Sequence, residues 1–196
     1  MRTASIVAAA LSFGVGTFAM TSSAHALGPI DVEIGAKAGV ATNPVKNSDG
    51  PNPLGFGIGA RGGIDFLGFY GGVQLMYYFG GSDDVSFAGQ SASIKDHTFM
   101  YGVEAGYGIT LVDILTIRPQ IGIGNATFSS SASGAGAANF NVDGGSNSNL
   151  YLEPGVTVLV SLGGWFVGGD ANLLAFPGLD GSKLAFSLHG QVGIKF

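Results

Sequence analysis

The chain contains no cysteine and little charge. Without a thiol there is no disulfide framework and no thiolate metal site. Asp, Glu, Lys and Arg make up 11% of the 196 residues, where a soluble protein carries about 25%. Eight Lys and Arg stand against 13 Asp and Glu, a formal charge of −5, so the basic surface that nucleic acid requires is missing and no nucleic-acid partner is expected. Also missing after residue 26 is any run of about 20 apolar residues, the length of a membrane-spanning helix. Val156 to Leu162 is among the longest runs, and Thr157 and Ser161 interrupt it. No cluster has metal-ligand spacing, so no metal is expected. No helix signal follows Gly122-Ile123-Gly124, which is therefore no nucleotide loop, and no cofactor is implied.

What is present is apolar. Hydrophobic residues are 46% of the chain and the mean hydropathy is +0.39, which excludes intrinsic disorder. Glycine occurs 35 times, about 18% where about 7% is usual, without the strict period of three that collagen needs. An apolar chain with no spanning helix has one other way to cross a bilayer. Lipid offers backbone groups no hydrogen-bond partner, so that way is a closed β-barrel.

The N-terminus reads as a secretory signal. Met1-Arg2 is basic, Ala4 to Met20 is apolar, Thr21-Ser22-Ser23 is polar, and Ala24-His25-Ala26 has the A-x-A form of a cleavage site. The expected division is a signal peptide at 1–26 and one barrel domain at 27–196. Cleavage removes one arginine and no acid, taking the charge from −5 to −6.

The rest alternates with period two in eight segments. They are Ile30 to Ala41, Gly55 to Asp65, Phe69 to Phe79, His97 to Thr110, Leu115 to Ala126, Leu150 to Leu162, Trp165 to Leu173 and Lys183 to Phe196. Connections alternate long and short: 42–54, 66–68, 80–96, 111–114, 127–149, 163–164 and 174–182. Strands of this length, alternating apolar and polar and joined by long loops outside and short turns in the periplasm, belong to outer-membrane barrels. The expected fold is all-β, an eight-stranded antiparallel up-and-down transmembrane β-barrel in the cell outer membrane, with both termini periplasmic.

The apolar face carries essentially no charge and the other face is largely glycine, so the apolar face is assigned to lipid; a soluble barrel has the opposite polarity. Phe56, Tyr77, Phe79, Phe99, Tyr101 and Phe128 lie toward the long-loop ends, and Phe66, Phe69, Trp165 and Phe196 at the short-turn ends, as two aromatic girdles. Pro119 and Pro154 fall inside neighbouring strands and cannot donate to a ladder, so a bulge or local break is expected there. An opening between the fifth and sixth strands would have these prolines as its cause.

With this pattern the chain resembles the small eight-stranded outer-membrane barrels of Gram-negative bacteria, the OmpA/OmpX type. The resemblance covers the whole chain after residue 26. It implies that Leu188, Val192, Ile194 and Phe196 form the C-terminal signal read by the barrel assembly machinery, with Gly190 small where an apolar residue is usual. No periplasmic peptidoglycan-binding domain is expected after Phe196, so cell-wall tethering is not expected to carry over.

The inward charges are Asp31, Glu33, Lys37, Arg61, Asp65, Glu104, Arg118, Glu153, Asp170 and Lys195, joined by His189. Buried charges must be paired. Hairpin register suggests that Glu33 meets the region of Arg61 and that Arg118 meets Glu153. One reading is a lumen plugged by salt bridges, with a structural or surface-interaction role, in which loops 42–54, 80–96, 127–149 and 174–182 contact an extracellular ligand. A second is a narrow pore for ions or small solutes, motivated by inward glycines that leave volume. A third is a lipid-active enzyme using Ser187 and His189 with Glu153 or Asp170; these residues sit on the lumen side near mid-strand, away from lipid, and the expectation is a protein that is not an enzyme. The expected partners are outer-membrane lipid and the assembly machinery.

Overall fold

A computed structural model describes residues 30–44, 52–87, 90–112, 114–133, 146–179 and 183–196. The segment expected to be a signal peptide lies outside them. Ten strands are formed: β1 (Ile30–Ala41), β2 (Gly55–Phe66), β3 (Phe69–Tyr78), β4 (Ser82–Phe87), β5 (Gln90–Tyr107), β6 (Ile109–Val112), β7 (Leu115–Ser133), β8 (Ser146–Leu162), β9 (Trp165–Phe176) and β10 (Lys183–Lys195). Two of the ten are continuations. β3 and β4 pair with successive parts of β5, and β5 and β6 with successive parts of β7. Eight antiparallel staves therefore run round the sheet, and β1 pairing β10 while β5 pairs β7 closes it.

Closure decides the faces. Lipid-side positions are apolar and exposed, from Ile34 and Val40 on β1 to Leu188 and Ile194 on β10. Inward positions include Glu33, Lys37, Arg61, Glu104, Arg118, Glu153 and Asp170, all buried. On β7 the outward residues Leu115, Ile117, Pro119, Ile121 and Ile123 precede Asn125. The stretch from Leu115 to Ile123 spans roughly 30 Å of strand, or about 23 Å of height at a tilt of about 40°, close to the apolar band of a transmembrane barrel.

The short turns are tight. Leu67 (φ 53°) and Gly68 (φ 87°) form a two-residue hairpin in which both central residues have positive φ, the geometry that matches strand twist. Asp65 Oδ1 accepts the Gly68 N–H at 3.0 Å.

The other end differs from expectation. Segment 80–96 is a paired hairpin, Ser82 opposite Lys95 and Phe87 opposite Gln90, rather than a loop. β7 continues to Ser133, β8 begins at Ser146 and β9 reaches Phe176, so 127–133, 146–149 and 174–176 are strand as well. Above the apolar band Ser129 to Ser131 on β7 and Ser146 to Asn149 on β8 carry only Ser and Asn, on both faces. Periodicity vanishes there although the ladder does not need it.

The prolines interrupt the ladders, but not between their own strands. β7 and β8 pair without a gap from Leu115 opposite Val160 to Ser129 opposite Ser146. The Ser161 N–H donates to the Ile114 carbonyl at 2.7 Å, which sets the alternation along β8 and turns Pro154 toward β9 and Pro119 toward β5 and β6. On those seams the pairing lapses. β8–β9 pairs stop at Leu152 opposite Ala175 and resume at Gly155 opposite Asn172. Pairing with β7 stops at Gly106 opposite Gln120 and resumes at Ile109 opposite Ile117. The register is the same on both sides of each gap, so the wall stays closed.

Candidate functional site

The lumen gathers the inward groups into two polar layers beneath an apolar one. Nearest the short turns, Arg118 on β7 reaches across to Glu33 on β1. Its Nη1 donates to Glu33 Oε2 at 2.9 Å and its Nη2 to Oε1 at 2.8 Å, a bidentate fork that fixes orientation as well as charge. Nη2 also meets Asp65 Oδ2 at 3.3 Å. Arg61 Nε lies 3.2 Å from Glu104 Oε1 and its Nη1 donates to Gln191 at 3.0 Å. Both guanidiniums lie over the Tyr70 ring, at 4.6 Å for Arg61 and 4.1 Å for Arg118, a cation–π arrangement strengthened by burial. The Tyr70 hydroxyl donates to Glu104 at 2.8 Å. At the rim, Lys195 pairs with Asp31 at 3.0 Å and lies 3.8 Å from Glu33.

The second layer is built around Asp170 on β9. Lys37 Nζ lies 3.2 Å from Asp170 Oδ2 and donates to Gln74 Oε1 at 3.1 Å. Gln74 in turn donates to the Glu153 carboxylate. His189 Nδ1 meets Asp170 Oδ1 at 2.7 Å and its Nε2 meets the Tyr78 hydroxyl at 2.7 Å. Above this, Leu54, Met76, Met100, Ala126, Leu174, Phe176 and Ala185 form an apolar cluster with Tyr78 and Tyr151.

Several expectations change here. Arg118 does not meet Glu153: it stands opposite Thr157, and Glu153 stands opposite Gly122. Arg118 instead pairs across the lumen, and Glu153 has no cation within ion-pair distance among the described residues, only Gln74. Glu33 does lie near Arg61, at 3.9 Å. Phe128 is not on the outer girdle. Its even position turns it inward, where it packs edge-on against Phe176 at 5.4 Å. The other nine girdle residues are exposed on the outer wall. Leu188, Val192, Ile194 and Phe196 also face outward, with Gly190 among them.

The hydrolase geometry is missing. Both ring nitrogens of His189 are taken by Asp170 and Tyr78, and the buried Ser187 Oγ has no partner. Among the described residues no three His, Asp or Glu converge as metal ligands.

Aromatic rings lie over several of the inward glycines. A Cβ at Gly63 would sit 2.5 Å from ring atoms of Tyr70, one at Gly57 2.5 Å from Tyr78, and one at Gly102 2.5 Å from the Tyr151 hydroxyl. Parity alone placed Tyr70, Tyr78 and Tyr151 inside. The signal that gives them a part in the network is bulky tyrosine on a face otherwise reduced to glycine.

Solved structures of other barrels match this fold. A major outer membrane protein from Thermus thermophilus superposes with a TM-score of 0.62 at 14% identity, over 85% of this chain and 99% of that one. The N-terminal β-barrel domain of Pseudomonas aeruginosa OprF gives 0.54 at 16% identity, over 85% and 97%. Neisserial surface protein A gives 0.54 at 13% identity, over 86% and 97%. No curated protein matches the chain. Residues 5–192 match the family described as outer membrane protein beta-barrel domain. The chain therefore belongs to the outer membrane protein beta-barrel family, and its place is the cell outer membrane.

Proposed function

We propose that this barrel is a structural and surface-interaction protein whose lumen is closed, with its contact surface at the long-connection end. The observation that carries this is the layered filling: two polar layers of buried charge, paired except at Glu153, beneath an apolar cluster in which Leu54, Leu174 and Tyr151 are fully buried. A small solute would have to break the Arg118–Glu33 fork and then displace the apolar cluster. The contact surface comprises 42–54, the β4–β5 hairpin, the raised ends of β7 and β8, and 174–182. Among the described residues its strand-borne hydroxyls, Ser129 to Ser131 with Ser146 and Ser148, form a polar sheet.

A narrow pore remains the second reading, favoured by buried polar atoms with no hydrogen-bond partner, Arg118 Nε and Ser187 Oγ, which water in the lumen would satisfy. Planar-bilayer recording separates the two. The expected result is silence. Steady unitary conductance that changes in Arg118→Ala would overturn the closed-lumen reading.

A further inference from the structure

The outer wall is not uniform. At the long-connection end its aromatics gather on β2, β3 and β5. Phe56 stacks on Phe79 at 6.0 Å, Phe79 meets Tyr77 edge-on at 5.2 Å, Tyr77 stacks on His97 at 5.8 Å, and Phe99 lies 5.9 Å from Tyr101. Directly above, on the same outward row of β5, stand His97 and Lys95. Among described side chains these are the only Lys, Arg, His, Asp or Glu on the outward face of the sheet. The chain is acidic as a whole, so a cation in this position runs against its average.

Below and beside the aromatics a shallow, open depression of about 1100 Å³ begins, running round the wall from Phe99 on β5 across β3, β2 and β1 and on to Val167 on β9 and Val158 on β8. Its floor is Ala36, Ala38, Ala60, Gly169 and Gly190, and Tyr77 and Phe99 stand at its upper edge. At Gly190 an added Cβ would approach nothing nearer than the Ala38 carbonyl, at 3.9 Å. Internal packing therefore does not require glycine there, although glycine weakens a strand. Its small size matters to whatever lies outside.

We infer that this sector binds one outer-leaflet lipid with a phosphorylated, anionic headgroup, held at Lys95 and His97 over the Tyr77 ring, with an acyl chain in the depression. Charge complementarity selects the headgroup and the aromatic row marks its depth, since such rings sit at headgroup level. A twofold dimer with its axis through the depression would set depression against depression and leave a void at its centre.

The test is native mass spectrometry of the refolded barrel with diphosphorylated lipid A and phosphatidylcholine in equal amounts. The wild type is expected to retain one lipid A in preference. Lys95→Gln is expected to lower that retention about fivefold, the factor carried by one lysine near an anionic surface. Ala60→Leu, which fills the depression, is expected to lower it as well, and a heat-modifiable gel band reports that each variant folds. Lys95 stands above the apolar band, so its substitution tests the headgroup even where a wall variant fails to assemble. Equal retention of the two lipids by wild type, or unchanged preference in folded Lys95→Gln, overturns the inference.

Discussion

Replacing Arg118 by alanine is the sharpest probe of the proposed closure of the lumen. The side chain is 1% exposed and holds Glu33 by two hydrogen bonds of 2.9 and 2.8 Å, with Asp65 at 3.3 Å. Its removal leaves Glu33 buried, with Lys195 at 3.8 Å and Arg61 at 3.9 Å as its nearest cations. Neither forms a hydrogen-bonded pair at that distance. Stripping one partner from a buried pair costs roughly 3–5 kcal/mol. The residual cations place this case near about 3 kcal/mol, about two decades in the folding equilibrium. Urea titration of the barrel in lipid vesicles, followed by Trp165 fluorescence, measures it. The double variant Glu33→Gln, Arg118→Met removes the stranded charge with its partner and is expected to recover more than half of the loss. A cost below about 1 kcal/mol for Arg118→Ala, or strict additivity in the double variant, would refute the argument, because it would mean that water already solvates Glu33 in the lumen.

Tyr78→Phe deletes the hydroxyl bonded to His189 and leaves a buried ring nitrogen without a partner; a loss of about 1–3 kcal/mol is expected in the same titration, and no loss would show that the ring finds water. Gly63→Val drives a side chain into Tyr70 and is expected to cost about 1–3 kcal/mol, whereas Gly190→Ala, facing open space, is expected to be nearly neutral. Pro154→Ala supplies the missing donor to β9 and is expected to slow amide exchange on both strands where that ladder lapses; unchanged exchange would place the cause of the gap elsewhere.

The barrel itself was legible because each lipid-facing row must be apolar and each lumen-facing row must tolerate burial, and a two-residue period records both. The alternation from Ile30 to Ala41 and from Lys183 to Phe196 sufficed to place Glu33, Lys37 and His189 inside. The raised ends were not legible. Beyond Asn125 water lies on both sides of β7, and Ser129 to Ser133 carry no alternation although their ladder continues. The partner of Arg118 was not legible either. Hairpin register governs only neighbours along the chain, and Glu33 belongs to β1, which β7 faces across the lumen once the sheet has closed.

Absence of cysteine, scarcity of charge and the lack of an apolar run long enough for a helix determined, with the alternation, that this chain spans a membrane as strands. Tertiary structure alone decided what fills the lumen. Alternation assigns a side chain to a face, but which inward groups meet depends on closure, on shear, and on the aromatic rings that occupy the space above the glycines.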